Sequence, residues 1–181
     1  MTRAKQMLDK RKIAELLKKL ADQIARELRG KKQLVLIGIR TRGAILAQRL
    51  QDLLKKRLNR SIPLGILDIT LYRDDLSALA SQPVVQETTL PFDVTGTTVV
   101  LVDDVLFTGR TVRAALDQII DFGRPACVKL AVLIDRGLRE YPIQPDFVGT
   151  RLQASPNELV QLHLQEIDGQ ERVVIVEWKR R

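Results

Sequence analysis

Apolar residues recur at three- and four-residue intervals early in the chain: Ile13, Leu16, Leu17, Leu20, Ile24 and Leu28. That spacing draws one apolar stripe along a helix, with Lys12, Glu15, Lys19, Asp22 and Arg26 opposite it and Gly30 as its stop. The pattern then changes. Gln33 to Ile39 reads as the first core strand, a second helix covers about Ala44 to Leu58, and Ile62 to Thr70 predicts another strand. Thr98 to Val102 is β-branched and apolar at successive positions, which suits a strand buried on both faces of a parallel sheet. Val112, Ala115, Leu116, Ile119 and Ile120 restore the helical period, and Gly123 with Pro125 ends it. Val128 to Asp135 is a further buried strand, while Leu159 to Leu164 and Arg172 to Glu177 form short alternating strands. Strands interleaved with helices predict an α/β fold on a mainly parallel central sheet with flanking helices. The connection from Leu71 to about Gly96 is long for a compact domain, with Val84 to Thr89 as a short hairpin arm. Loops of that length are often lids.

Composition narrows the class. At 181 residues the chain fits a single domain, 1–181, able to bury a sizeable core. No apolar run approaches a membrane span, the charged N-terminus is unlike a secretory signal, and a cytoplasmic protein is expected. Cys127 has no second cysteine to pair with and reads as a small core residue. His163, alternating with Val160, Leu162 and Leu164, is expected on the polar face of its strand without metal-ligand companions. Charge is unevenly placed: residues 1–33 hold 11 Lys/Arg against 4 Asp/Glu, whereas the other 148 hold 19 against 18. Such a terminus serves nucleic acid, an acidic partner or only solubility.

The chemistry concentrates in Val99-Val-Leu-Val-Asp-Asp-Val-Leu-Phe-Thr-Gly-Arg-Thr111, where apolar residues run into Asp103 and Asp104 and then into a turn that opens a helix. A helix N-terminus offers unpaired N–H groups and partial positive charge, a good seat for phosphate. Thr108, Gly109, Arg110 and Thr111 occupy that turn: Gly109 allows close backbone approach and the threonine hydroxyls can donate. Ionised carboxylates are acceptors only, so Asp103 and Asp104 suit vicinal sugar hydroxyls. The plain alternative is a capped strand-to-helix turn. Arg40-Thr-Arg-Gly43 sits between a strand and a helix in the same way, and its two arginines suit a more highly charged anion. No G-x-x-x-x-G-K-[ST] is present, and no G-x-G-x-x-G follows a strand.

On these residues the chain resembles the type I phosphoribosyltransferases. Ile37-Gly-Ile-Arg-Thr-Arg-Gly43, Leu67-Asp-Ile-Thr-Leu-Tyr-Arg-Asp-Asp-Leu76 and Ala131-Val-Leu-Ile-Asp-Arg-Gly137, continued by Asp146-Phe-Val-Gly149, narrow the resemblance. They are similar to the PyrR family of pyrimidine-operon attenuation regulators with uracil phosphoribosyltransferase activity, from about Ile13 to Glu177. The resemblance implies a type I phosphoribosyltransferase fold with a small hood subdomain from about residue 136. It implies phosphoribosyl pyrophosphate (PRPP), uracil, UMP and UTP as ligands. Mg2+ would be held mainly by substrate oxygens rather than a dedicated metal cage, and a homodimer or tetramer is expected. Arg40, Thr41, Arg42 and Gly43 would form the pyrophosphate loop, often with a non-proline cis peptide, and Thr41 and Arg42 would touch the leaving group. Arg73 would neutralise departing pyrophosphate from a closing loop; Arg136 and the backbone near Val160 would recognise uracil.

The same resemblance implies a surface that captures the leader hairpin of pyr mRNA, with Lys18, Lys19 and Arg139 on it. Lys18 and Asp22 replace the family's usual threonine and histidine, and Leu138, Gln144 and Thr150 replace histidine, arginine and lysine. A transferase without specific RNA regulation is the alternative, and the shared signature leaves purine or orotate transfer open.

Overall fold

The computed structural model describes residues 4–72 and 87–177. Chain order is β1 (Lys5–Asp9), α1 (Lys10–Leu28), β2 (Leu34–Ile39), α2 (Arg42–Leu58), β3 (Leu64–Leu67), β4 (Thr98–Leu106), α3 (Arg110–Asp121), β5 (Cys127–Asp135), β6 (Phe147–Arg151), β7 (Glu158–His163), α4 (Gln165–Asp168) and β8 (Arg172–Glu177). Five strands form a parallel sheet in the order β3-β2-β4-β5-β6. Three more form a small antiparallel sheet, β1-β8-β7.

The period-2 geometry of β4 explains why both sheet faces are apolar. Val100 and Val102 pack with Leu16, Leu20 and Ile24 of α1 and Leu46 and Leu50 of α2. Val99 and Leu101 face the other way, against Val112, Ala115 and Ile119 of α3. A strand covered on both sides has no polar face to keep, hence the continuous apolar run. The α1 stripe is buried along its length, and Asp9 caps its start by accepting from Lys12 N–H at 2.8 Å. Among the described residues no helix is long and apolar enough to cross a membrane.

Several boundaries differ from the expected ones, each for a local reason. β4 runs on to Leu106, because its ladder with β5 continues through Asp103↔Val132, Val105↔Ile134 and Leu106↔Asp135. The two acids therefore stand inside the strand and not in the turn after it. β3 stops at Leu67, since Asp68 accepts from Thr70 N–H and so turns the chain into the 3-10 turn Thr70–Tyr72. Helix α3 starts at Arg110 rather than Val112, directly after Gly109 at φ +93. Helix α2 likewise begins at Arg42, ahead of Ala44. β1 lies in a segment that read only as charged, and it owes its existence to pairing with β8. Of the expected hairpin arm, Thr89 forms a single antiparallel bridge with Ile66; residues 84–86 lie outside the described residues. Cys127 is half-buried at the edge of β5, its Sγ 3.7 Å from Thr98 Oγ1, rather than a core residue.

Candidate active site

The carboxyl ends of β2, β3 and β4 converge where an open α/β sheet holds ligands. There a cavity of about 370 Å³ is lined by Arg40, Thr41, Arg42, Asp68, Ile69, Thr70, Asp103, Asp104, Val105 and Thr111. The loop after β2 and the end of β4, 60 residues apart in sequence, are thus walls of one site. Gly43 makes this possible: a Cβ there would stand 2.5 Å from Val102 O and 3.2 Å from Asp103 Cα. No side chain fits between α2 and β4 at that point. The Arg40–Thr41 peptide is cis, as the family resemblance implied.

Asp103 and Asp104 are held locally by the backbone. Asp103 Oδ1 accepts from Asp104 N–H at 2.9 Å and Asp104 Oδ1 from Val105 N–H at 2.8 Å. Burial first, and the neighbouring Asp104 charge second, hold the Asp103 carboxyl well above the usual carboxylate range. Burial also raises the Asp104 carboxyl, against the Val105 N–H and the charge of Arg42. Two adjacent acids that resist ionising want either a cation or donors, and vicinal hydroxyls supply donors. Asp68 adds a third carboxylate at the rim. It is buried and accepts from both the N–H and the hydroxyl of Thr70. In the sequence Asp68 stands out only within the Leu67–Leu76 motif; its local signal is an acid directly after a buried strand, whereas Asp103 lies inside β4.

The turn before α3 divides the residues expected there. Thr111 lines the cavity. Gly109 supplies the left-handed turn that starts the helix, and Thr108 Oγ1 accepts from Arg110 N–H while its carbonyl accepts from Glu140 and Tyr141. The Arg110 guanidinium is a correction: it reaches Glu140 at 2.7 Å and lies over the Tyr141 ring. Its backbone N–H donates to Thr108 Oγ1 within the turn.

A second cavity of about 360 Å³ adjoins the first and shares Arg42, Asp104 and Val105 with it. Its far wall is β7, from Leu159 through Val160 to His163. His163 is on the polar side of β7 as expected, half-buried against this space. Arg136 is not in its wall. That side chain is 4% exposed, stacks on Phe107 at 3.8 Å, and donates to Glu158 O at 2.7 Å and Ser155 O at 3.1 Å. It ties the start of β7 to the loop after β4, and the side chain expected to read the base is engaged there by the scaffold. Arg73 lies outside the described residues.

The residues expected to face RNA separate in the same way. The Lys18 side chain is exposed. Lys19 Nζ donates to Gly149 O at 2.8 Å and braces α1 on β6. Arg139 donates to the carbonyls of Ile143, Leu106, Phe107 and Gly137 and to Asp135 Oδ1, and is largely buried. Most of the Arg139 donors are thus taken by the scaffold, and Lys19, though exposed, has a scaffold partner as well. Asp22 is paired to Arg57, which holds its carboxyl below the usual range.

Two neighbouring pockets, one acid-lined between two helix N-termini and one apolar, define a phosphoribosyl-binding fold. The family described as Phosphoribosyl transferase domain matches residues 3–176, and the chain belongs to that family. Within it, the chain falls among the PyrR proteins. Bifunctional protein PyrR of Pelotomaculum thermopropionicum is 58% identical over 172 residues, covering 95% of each chain. The protein of the same name in Roseiflexus sp. is 52% identical, over 91% of this chain and 90% of its own, and that of Thermus aquaticus 50%, over 88% of each. Among solved structures, the hypoxanthine phosphoribosyltransferase of Trypanosoma cruzi superposes with a TM-score of 0.72 at 21% identity, over 97% of each chain. That of Staphylococcus aureus gives 0.67 at 20%, over 97% of this chain and 92% of its own. These two likenesses are of fold.

Proposed function

We propose that this chain transfers ribose 5-phosphate from PRPP to N1 of uracil, giving UMP and pyrophosphate, and regulates pyrimidine genes by binding pyr leader RNA when UMP occupies the site. The observation that carries the first half is the convergence of Asp103, Asp104, Thr111 and the Arg40–Arg42 loop on one cavity that opens into the Val160 cleft. A sugar held by the acids would have its 5-phosphate on the α3 N-terminus and its pyrophosphate on the loop before α2. Its C1 would face the β7 cleft, where Val160 and Leu159 stack the base and backbone groups read its edge.

As pyrophosphate leaves, positive charge develops at C1, so no nucleophile on the protein is needed. The work is orientation and stabilisation of the leaving group, done by Arg40, Thr41 and Arg42 with the N–H groups of Arg42 and Gly43. Asp103 and Asp104 fix the ribose, and positive charge developing beside them would offset the cost of ionising two adjacent acids whose carboxyls burial holds high. Arg73 would join from outside the described residues.

Among those residues no three His, Cys, Asp or Glu side chains cluster into a metal cage. The hard carboxylate oxygens of buried Asp103 and half-buried Asp104 nevertheless fit Mg2+ carried on substrate oxygens and water. Bound there, Mg2+ supplies charge neutralisation to the pyrophosphate.

The regulatory half draws support from relatives named bifunctional, and from a basic α1 with Lys18 exposed and Arg26 and Arg29 beside the Arg57 groove. UTP is included as a competing effector, a homodimer or tetramer as the assembly, and the cytoplasm, where these substrates and the transcript occur, as the location. The test is pyrophosphate release with PRPP and Mg2+ in the presence of uracil, orotate, hypoxanthine or guanine. Uracil is expected to be fastest; a faster purine overturns the assignment of the base. Filter binding of a pyr leader hairpin against a scrambled control, with and without UMP, tests the RNA half. Equal affinity for both leaves a catalyst without specific regulation.

A further inference from the structure

Arg42 occupies the junction of the two cavities and stands between two carboxylates. Asp104 lines both cavities with it, and the Arg42 charge acts on the Asp104 carboxyl. Asp168, at the end of α4 and 126 positions away in sequence, takes the hydrogen bond: Arg42 Nη2 donates to Asp168 Oδ1 at 2.9 Å. Asp168 is itself fixed. Its Oδ2 accepts from Leu164 N–H at 2.8 Å, and its own N–H donates to Leu164 O at 2.7 Å, so the carboxylate cannot follow Arg42 if the arginine moves. Burial works against ionisation of Asp168, but the Leu164 N–H and Arg42 prevail and hold its carboxyl below the usual range.

A contact between α2 and α4 has a plainer use, holding the small sheet to the large one. Another residue already performs it. Arg49, on the same face of α2, donates to Glu166 at 2.7 Å and to Glu171 at 2.7 Å, on either side of Asp168. The Arg42–Asp168 pair differs from that clamp in one respect, since only Arg42 of the two arginines lines the cavities. Its Nε is buried with no hydrogen-bond partner, so the guanidinium still has an unpaired donor at the cavity junction.

We infer that Asp168 is a positioning residue: by holding Arg42 on the α4 side of the junction, it keeps that guanidinium off Asp104 and aims its remaining donors at the pyrophosphate of PRPP. This rests on the transferase reading above. Without Asp168, Arg42 is left with Asp104, the cavity carboxylate on which its charge already acts, and an arginine closed onto Asp104 would occupy the place of the ribose hydroxyls. Asp168 thus separates a cation from an anion that would otherwise cancel each other inside the site.

The test is calorimetric titration of the full chain with PRPP and Mg2+, alongside steady-state kinetics with uracil. For Asp168→Asn, loss of a charge-assisted hydrogen bond predicts a Kd for PRPP raised about tenfold. The KM for PRPP is expected to rise with it and kcat to fall, because Arg42 also serves the leaving pyrophosphate, while the KM for uracil holds. Asp168→Glu restores most of the affinity. Arg49→Ala, which cuts the neighbouring clamp, lowers Tm but leaves the Kd for PRPP unchanged. Should Asp168→Asn fail to fold, Asp168→Ser carries the same expectation. Wild-type affinity in a folded Asp168 variant overturns the inference, and so does an equal loss in Arg49→Ala. A wild-type chain that binds no PRPP overturns the transferase reading and this inference together.

Discussion

Two pairs of arginines follow the same kind of unit, the carboxyl end of a parallel strand. Arg40 and Arg42 follow β2 and border the acid-lined cavity; Arg136 and Arg139 follow β5 and are turned inward. The chain after the strand explains the difference. After β2, α2 begins at Arg42, so the backbone presents orphan N–H groups rather than carbonyls, and the arginines reach distant acceptors instead, Arg40 the Glu87 carbonyl and Arg42 Asp168. After β5, residues 136–146 are irregular, and the carbonyls of Gly137 and Ile143, with those of Leu106, Phe107, Ser155 and Glu158 nearby, need donors. Buried carbonyls left unpaired are costly, and a guanidinium can satisfy several at once. Whether an arginine at a strand end binds ligand or scaffold is decided by what its loop leaves unbonded.

The largest effect expected from this contrast is on stability. Arg139→Ala removes five hydrogen bonds and leaves Asp135 buried beside an empty space. Breaking a buried ion pair from one side costs about 3–5 kcal/mol. Urea unfolding should register that loss, while RNA affinity of the folded variant stays at the wild-type value. Wild-type stability with weakened RNA binding would return Arg139 to the RNA surface.

Asp103→Asn with Asp104→Asn probes the other member of the pair, where function and not packing is at stake. Uracil transfer should fall by about a hundredfold or more, comparable to losing one preorganised electrostatic contact in other enzymes. Thermal stability should not fall, because amides relieve the repulsion between adjacent buried acids. Pyrophosphate release at wild-type rate would remove both acids from the mechanism.

The legible part of this molecule is the part governed by local sequence. The β4 run, its two acids and the glycine turn into α3 are contiguous, so strand, acceptors and anion seat could be read together. Gly43 and the Arg40–Arg42 loop were legible for the same reason. The surroundings of Arg136 and Arg139 are not legible, because residue type is visible while the carbonyls that claim them, some 30 positions upstream or 20 downstream, are not. Asp168 and β1 were silent: the first acts through a contact across 126 positions, and the second is a strand only because β8 pairs with it.

The acid pair also predicts a pH dependence that the arginine-rich loop lacks. The folded carboxyls of Asp103 and Asp104 hold their protons more tightly than the unfolded chain does, burial being the chief cause. Stability from this source is complete below the unfolded value, about 3.9, and is lost as pH rises through the folded values. The unliganded protein should therefore melt at progressively lower temperature as pH climbs above about 4, the range set by that reference value. PRPP with Mg2+ should reduce the slope, and the double asparagine variant should flatten it further. Coincident melting profiles for wild type and variant would show that burial does not strain the pair.

Lys18 and Lys19 carry the comparison down to its smallest effect. They are neighbours on α1 with the same charge, but Lys19 braces Gly149 while the Lys18 ammonium faces solvent. An exposed lysine near phosphates contributes through counterion release, which depends on charge and not on base identity. Lys18→Ala should weaken binding of the leader hairpin and of a scrambled RNA alike, and lower the salt-dependence slope by about 1. Lys19→Ala should leave that slope alone and lower Tm instead, by freeing α1 from the edge of β6. If Lys18→Ala weakens the leader hairpin alone, the lysine reads a defined feature of the RNA, and α1 then contributes specificity as well as charge.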